Sequence, residues 1–142
     1  MNGKARPGRG GLPKTTASAS GLDSTPPPTT APSGDTEFGP PVPRTRTTRK
    51  MADKACYRNA AITAMTDHQW RYAEGMALSQ EGWWVHHAWN VDAAGRVLDR
   101  TWPEPGARYV GQVIDIKEVA RRTSATGWIG PMRPELPTLE PG

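Results

Sequence analysis

Aromatic and β-branched residues dominate two arms within positions 82–102 and predict two strands joined by a tight turn. Both arms are rich in tryptophan and valine, which favour strands, and residues 92–95 (Asp-Ala-Ala-Gly) separate them. An aspartate side chain accepts hydrogen bonds from nearby backbone, and glycine takes the left-handed conformation of a bulged turn. The pattern therefore predicts a type I turn with a bulge at Gly95, in which Asp92 pairs with Arg96.

This turn determines which side chains share a face of the predicted hairpin. Counting back from the turn places Trp89 opposite Asp99, and His87 becomes a diagonal neighbour of Asp99 on one face. A loop with an even number of residues would put His87 and Asp99 on opposite faces, because side chains along a strand alternate. The turn chemistry therefore favours a His87–Asp99 pair, whereas His86 should point to the opposite face.

The rest of the apolar pattern predicts helices and strands on both sides of the hairpin. Alanines recur along residues 51–66 and predict a helix capped by Asp53, with Cys56 as its third residue. The other predicted elements are strands at residues 70–78 and 109–114, the second at a sheet edge, and a short helix at residues 116–123. We therefore expect an α+β fold, in which the helix that carries Cys56 packs on a small three- to four-stranded antiparallel sheet.

Composition divides the chain into three parts. Gly, Pro, Ser and Thr dominate residues 1–50, which we expect to be a disordered arm because so few apolar side chains cannot offset the entropy of ordering. Residues 51–126 are the predicted domain, and prolines in residues 127–142 predict an irregular tail. All six tryptophans lie between positions 70 and 128, so they should supply much of the core of a domain of only about 80 residues.

Positive charge is concentrated in the arm. Residues 1–50 contain eight of the 18 basic residues and three of the 14 acidic residues. The basic cluster formed by Arg44, Arg46, Arg49 and Lys50 would suit weak contact with a nucleic acid or an acidic partner. No aromatic residue is interleaved to stack on bases, so a solvated linker is the simpler interpretation of this cluster.

The single cysteine, Cys56, excludes a fold held together by intrachain disulfides. The N-terminal residues lack the apolar stretch of a signal peptide, and no apolar run reaches the roughly 18 residues needed to span a membrane. We therefore expect a cytoplasmic protein in a reducing compartment, where the thiol stays available for chemistry.

Cys56, His87 and Asp99 are together the residue types of a thiol-nucleophile site. A helix N-terminus favours a thiolate, a neighbouring imidazole can accept the thiol proton, and a carboxylate can orient that imidazole. Backbone N–H groups at the start of the helix would form an oxyanion hole. Taken singly, each residue has a plainer interpretation: a buried cysteine, a strand histidine, and a turn or surface acid.

No metal or cofactor is expected, because the cysteine and the histidines lack the close paired spacing of a structural zinc site. Four further residues are candidate substrate contacts: Asn59, Glu74, Trp89 and Trp102. Core packing is the alternative role of the two tryptophans. Gly75, within a predicted strand, indicates a bulge or a close approach of two backbones.

Three blocks of sequence resemble the transglutaminase-like core, a branch of the papain-like cysteine superfamily. Cys56 opens the predicted helix, residues 87–89 (His-Ala-Trp) lie on a strand, and residues 99–102 (Asp-Arg-Thr-Trp) follow on the next. This order is similar to the family pattern Cys…His-Ala-Trp…Asp-Pro-Thr, except that arginine stands in place of proline. Residues 72–75 (Tyr-Ala-Glu-Gly) also resemble a Tyr-x-Glu-Gly block of small bacterial and phage proteins.

The resemblance implies that Cys56 is a nucleophile, His87 a general base, and Asp99 the residue that orients the base. It implies a thiol-dependent hydrolase or acyltransferase that acts on an amide, isopeptide or ester bond of a peptide or acyl substrate. Two other interpretations stay open. One is a non-catalytic binding module with the same fold, and the other is a nucleic-acid-associated accessory protein that uses the basic arm.

Overall fold

The computed structural model describes residues 35–127 and 129–136. In chain order the elements are β1 (Thr36–Glu37), β2 (Gly39–Pro41), α1 (Cys56–Thr66), β3 (Arg71–Leu78), β4 (Trp84–Val91), β5 (Arg96–Leu98), β6 (Arg108–Val113) and α2 (Ile116–Thr126). No helix in this described part of the chain has the length and apolar character needed to cross a membrane.

The strands of the described residues form one six-stranded sheet in the order β1-β6-β3-β4-β5-β2. Neighbouring strands are antiparallel, except that β2 and β5 are parallel. Residues 36–41 supply both end strands of the sheet, β1 and β2, so one short segment reaches β6 on one side and β5 on the other. Phe38 N donates to Tyr109 O of β6 at 2.9 Å, and Gly39 N donates to Gly95 O beside β5 at 2.8 Å. The sheet is therefore nearly closed and resembles a small barrel.

The predicted fold, one helix on a three- to four-stranded antiparallel sheet, is wrong. A mixed, nearly closed sheet of six strands takes its place. Two of the additional strands, β1 and β2, come from residues that were assigned to the disordered arm. The sequence of β2 is Gly-Pro-Pro, which does not predict a strand. Proline cannot donate to a strand ladder, and it is tolerated here because β2 is an edge strand. The predicted edge strand is internal, since β6 lies between β1 and β3.

Residues beyond both predicted ends of the domain pack against it. Residues 35–50 belong to the predicted arm, and residues 129–136 belong to the predicted tail. The Arg133 guanidinium pairs with the Asp35 carboxylate at 3.1 Å, and both side chains are buried. Met132 is also buried. Parts of the predicted arm and tail therefore pack on the domain, while residues 1–34, 128 and 137–142 lie outside the described residues.

The predicted turn is present between β4 and β5. Asp92 N donates to Arg96 O at 3.0 Å, Gly95 N donates to Asp92 O at 3.0 Å, and Gly95 takes a φ of 81°. The Asp92 carboxylate accepts from Arg96 N at 2.9 Å. Val91 pairs with Val97, which is the register that the turn chemistry predicts.

Helix α1 begins later than predicted. Cys56 is its first residue, and its N-cap, Ala55, makes no side-chain capping bond. Asp53, the predicted cap, pairs with Lys50 instead, and Lys54 has a φ of 60°, outside the helical region. Cys56 is therefore the first helical residue and not the third, although it remains in the first turn.

The two faces of the sheet have separate cores. On one face α1 packs through small side chains, because Ala60, Ala61 and Ala64 lie against Tyr72 and Ala88. Small residues allow the helix to approach the sheet closely. The other face is covered by Phe38 and Trp102 and buries a second cluster: Ala73, Ala77, Trp89, Val91, Val97 and Tyr109.

Candidate active site

His87 and Asp99 lie side by side, as the turn register predicts. His87 is on β4, and Asp99 directly follows Leu98, the last residue of β5. His87 Nε2 lies 2.9 Å from Asp99 Oδ2, and both side chains are buried. The hairpin therefore holds a histidine–carboxylate pair in the protein interior.

Four hydrogen bonds hold the Asp99 carboxylate. Besides His87, Oδ2 accepts from the Tyr109 hydroxyl at 2.7 Å, and Oδ1 accepts from Thr101 N at 2.9 Å and Trp102 N at 3.2 Å. Burial raises the pKa of Asp99, but the charge and hydrogen bond of His87, followed by the other hydrogen bonds, hold that pKa below its usual value. Asp99 is therefore ionised and fixed in orientation.

His87 is bonded to Asp99 and also lies within the electrostatic influence of Cys56. Because Nε2 bonds Asp99, Nδ1 is the ring nitrogen left for the thiol. Burial lowers the pKa of His87, but the charge and hydrogen bond of Asp99, and then the hydrogen bond and charge of Cys56, raise it to about 9. The imidazole therefore holds its proton more tightly than a free histidine does.

Cys56 is half-buried at the start of α1. The first hydrogen bond inside the helix runs from Asn59 N to Ala55 O at 2.8 Å, so the N–H groups of residues 56–58 have no acceptor within the helix. These N–H groups form the positive end of the helix dipole. The turn that carries the thiol therefore also carries donors suited to an oxyanion.

Trp102 covers the His87 ring and remains partly exposed. The two ring centroids are 4.0 Å apart and the planes are inclined by 20°, an arrangement that stabilises a charged imidazolium. The neighbouring Thr101 accepts a hydrogen bond of 2.8 Å from Asn59 Nδ2. Because Asn59 is on α1, this bond joins the helix that carries Cys56 to the loop that follows Asp99.

His86 forms a second histidine–carboxylate pair on the opposite face of the sheet. Its Nε2 lies 2.8 Å from Glu74 Oε2, and the buried Glu74 carboxylate also accepts from Met132 N at 2.8 Å. The Tyr57 ring lies edge-on to His86, with 5.6 Å between centroids. The predicted orientation of His86 is thus present, whereas its pairing with Glu74 was not foreseen.

Of the four predicted substrate contacts, Trp102 alone keeps accessible surface. Asn59, Glu74 and Trp89 are 1%, 0% and 1% exposed. Asn59 and Glu74 are engaged in the hydrogen bonds described above, and Trp89 packs on Tyr109 with 5.0 Å between ring centroids. These three residues therefore present almost no surface to a substrate.

Arg44, which the sequence placed in the basic cluster, belongs to the framework of the site. Its guanidinium donates to the carbonyl oxygens of Asp99, Trp102 and Pro103 at 2.9, 2.8 and 2.8 Å. These bonds fasten the loop that begins at Asp99. The other three basic residues of the cluster remain partly or fully exposed.

Sequence reasoning missed Tyr109 and Arg44 as parts of the site. Tyr109 has the pattern of an apolar strand residue, and its hydroxyl reaches Asp99 only through the pairing of distant strands. Arg44 lies 55 residues before Asp99, in a stretch without local structural signals. Neither contact can be predicted from the neighbouring residues in the sequence.

No group of three or more histidine, cysteine, aspartate or glutamate side chains suited to a metal ion occurs within residues 35–127 and 129–136. Within the same residues His87 is paired with Asp99, and Cys56 contributes to the electrostatics of His87. No protein-family model, curated protein or solved structure matches the chain.

Proposed function

We propose that the protein is a thiol-dependent hydrolase or acyltransferase that acts on an amide, isopeptide or ester bond. One observation carries the proposal: His87 Nε2 is hydrogen bonded to Asp99, and the charge and hydrogen bond of Asp99, followed by those of Cys56, outweigh burial and raise the pKa of His87 to about 9. Such a histidine supplies a charge that favours the thiolate and a proton for a leaving group. The resemblance to the transglutaminase-like core, drawn from the order of Cys56, His87 and Asp99, points in the same direction.

The chemistry follows from these positions. The Cys56 thiolate attacks a carbonyl carbon, a C–S bond forms, and the carbonyl oxygen takes the displaced electron pair. The N–H groups of residues 56–58 stabilise that oxyanion. The carbon–nitrogen or carbon–oxygen bond then breaks, and His87 gives its proton to the leaving group. Water or an acceptor amine attacks the resulting thioester and returns a proton to His87, and the C–S bond breaks to restore the thiolate.

The test is the reactivity of Cys56 in the full chain. Iodoacetamide should alkylate Cys56 at pH 6–7 at least about tenfold faster than it alkylates a free cysteine peptide, because the thiolate is the reactive form. His87→Gln should abolish the difference, and His68→Gln, at an exposed histidine, should leave it unchanged. Thermal unfolding would show that each variant folds.

A second measurement separates catalysis from binding. An activated thioester or acyl probe should label the wild-type protein at Cys56 and should fail to label Cys56→Ala. Alkylation no faster than that of the peptide would refute the enzymatic proposal. A reactive thiol that never forms an acyl adduct would instead indicate a non-catalytic binding module.

A further inference from the structure

A groove of about 550 Å³ opens beside the candidate active site. One wall is the turn between β3 and β4, which supplies Glu81 and Trp83. The other wall is the loop after Asp99, which supplies Trp102 and Glu104, and Val85 lies on β4 between them. The groove therefore lies between two loops that meet at the end of the sheet.

The groove reaches the site through Trp102. This residue stacks on the His87 ring at 4.0 Å between centroids and also lines the groove. Val85 precedes His87 by two residues on β4, so both side chains point to the same face. A ligand held in the groove would therefore lie against Trp102, the side chain that covers the His87 imidazole.

Hydrogen bonds hold both walls in place. Ser79 N donates to Trp83 O at 2.8 Å, and Trp83 N donates to Ser79 Oγ at 3.1 Å. These two hydrogen bonds fix the turn that forms the first wall. Gln80 Nε2 donates to Pro105 O at 2.8 Å and joins the first wall to the second. A preformed groove loses little entropy when a ligand binds.

The lining of the groove combines aromatic rings with negative charge. Trp83 is 41% exposed and contributes its indole to the lining. Glu81 and Glu104 are exposed and form no ion pair with a residue of the described ranges, and the lining contains no lysine, arginine or histidine. The nearby Arg44 directs its donors to backbone carbonyls.

We propose that this groove binds a basic side chain, arginine or lysine, of the peptide on which the thiol site acts. The inference deepens the proposed function and rests on it. Indole faces attract cations, and guanidinium groups stack on them especially well. Glu81 and Glu104 provide carboxylates that accept the N–H groups of the same cation. The acyl group attacked by Cys56 would then belong to a residue near that basic side chain in the peptide.

The proposal is tested by binding, with the full chain carrying Cys56→Ser so that no reaction occurs. Four blocked pentapeptides that differ only in the central residue are titrated calorimetrically: arginine, lysine, citrulline and norleucine. Citrulline has the shape of arginine without its charge. The arginine and lysine peptides should bind about tenfold more tightly than the two neutral ones. Equal binding of arginine and citrulline peptides would refute the proposal.

Two double variants test whether the preference for charged peptides depends on the carboxylates of the groove. Glu81→Gln with Glu104→Gln should reduce the preference for the charged peptides to about twofold or less. Glu118→Gln with Glu135→Gln removes the same charge outside the groove and should keep the preference, and the opposite pattern would overturn the assignment. Because peptide binding does not need the thiol and alkylation does not need the peptide, the groove and the proposed function can fail independently.

Discussion

Tyr109 and His87 bind the same oxygen of Asp99. The tyrosine hydroxyl lies 2.7 Å and the imidazole Nε2 2.9 Å from Oδ2. The hydroxyl also accepts a hydrogen bond of 2.5 Å from Gly106 N. Strand β6 therefore orients the carboxylate that orients the histidine, and it does so through a single oxygen atom.

Tyr109→Phe should weaken both the fold and the site. The substitution removes one donor to Asp99 and leaves Gly106 N without its acceptor, so the free energy of unfolding should fall by about 1–3 kcal/mol. Alkylation of Cys56 should slow several-fold, because the His87–Asp99 pair loses part of its support. Urea denaturation and iodoacetamide kinetics measure the two effects. Wild-type values in both assays would show that the hydroxyl has no such role.

The pH dependence of stability should reveal the charged state of His87. Its pKa is about 9 in the folded protein, above the ordinary value of 6.5. The folded state thus holds this proton more tightly, and its stabilisation is complete below about pH 6.5 and is lost as the pH rises through about 9. The difference in unfolding free energy between wild type and His87→Gln should shrink by up to about 3 kcal/mol over that interval.

Nuclear magnetic resonance titration gives a direct check on the same histidine. The ring protons of His87 should titrate near pH 9 in the wild type and at clearly lower pH in Asp99→Asn, because the carboxylate charge is lost. An apparent pKa at or below 6.5 in the wild type would contradict the assigned charge.

Arg44→Ala should loosen the loop that follows Asp99. The guanidinium holds three backbone carbonyls of that loop, so its removal should cost about 1–3 kcal/mol of stability and should slow alkylation of Cys56. Arg46→Ala removes the same charge at an exposed position and should change stability by no more than about 0.5 kcal/mol. Equal effects of the two variants would assign the loss to net charge and not to the loop.

Gly75→Ala should be strongly destabilising. A Cβ at Gly75 would lie 2.2 Å from Val110 O and 2.5 Å from Gly111 Cα, and the paired strands β3 and β6 cannot move apart without losing hydrogen bonds. We expect a cost of about 3 kcal/mol or more. Gly39→Ala is the control, because a Cβ there meets nothing closer than Gly95 O at 3.4 Å. Thermal and urea unfolding measure the stability of both variants. A Gly75→Ala protein as stable as the wild type would contradict the close approach of β3 and β6.

What could be predicted from the sequence is what depends on neighbouring residues. The turn at Gly95 follows from the chemistry of four consecutive residues, and the register of the hairpin follows from the turn. The His87–Asp99 pair is therefore accessible to sequence reasoning. The close approach of backbones indicated at Gly75 is also present, against β6.

What escaped prediction depends on distant parts of the chain. Strands β1 and β2 exist because β6 and β5 leave unpaired backbone groups at both ends of the sheet, and their own composition argues against strands. The helix cap at Asp53 was a sound local expectation, but Lys50 occupies its carboxylate. Tertiary partners thus override local preference at the positions where the sheet closes.

The bonds made by Arg133 and its neighbour have a consequence for biosynthesis. The buried carboxylates of Asp35 and Glu74 receive donors from residues 132 and 133, which leave the ribosome long after the acids do. A nascent chain that ends before these residues would have to bury Asp35 without the Arg133 guanidinium, and Glu74 with donors from Tyr72 and His86 alone. The protein should therefore acquire protease resistance only after residues 132 and 133 have left the ribosome and packed over the sheet.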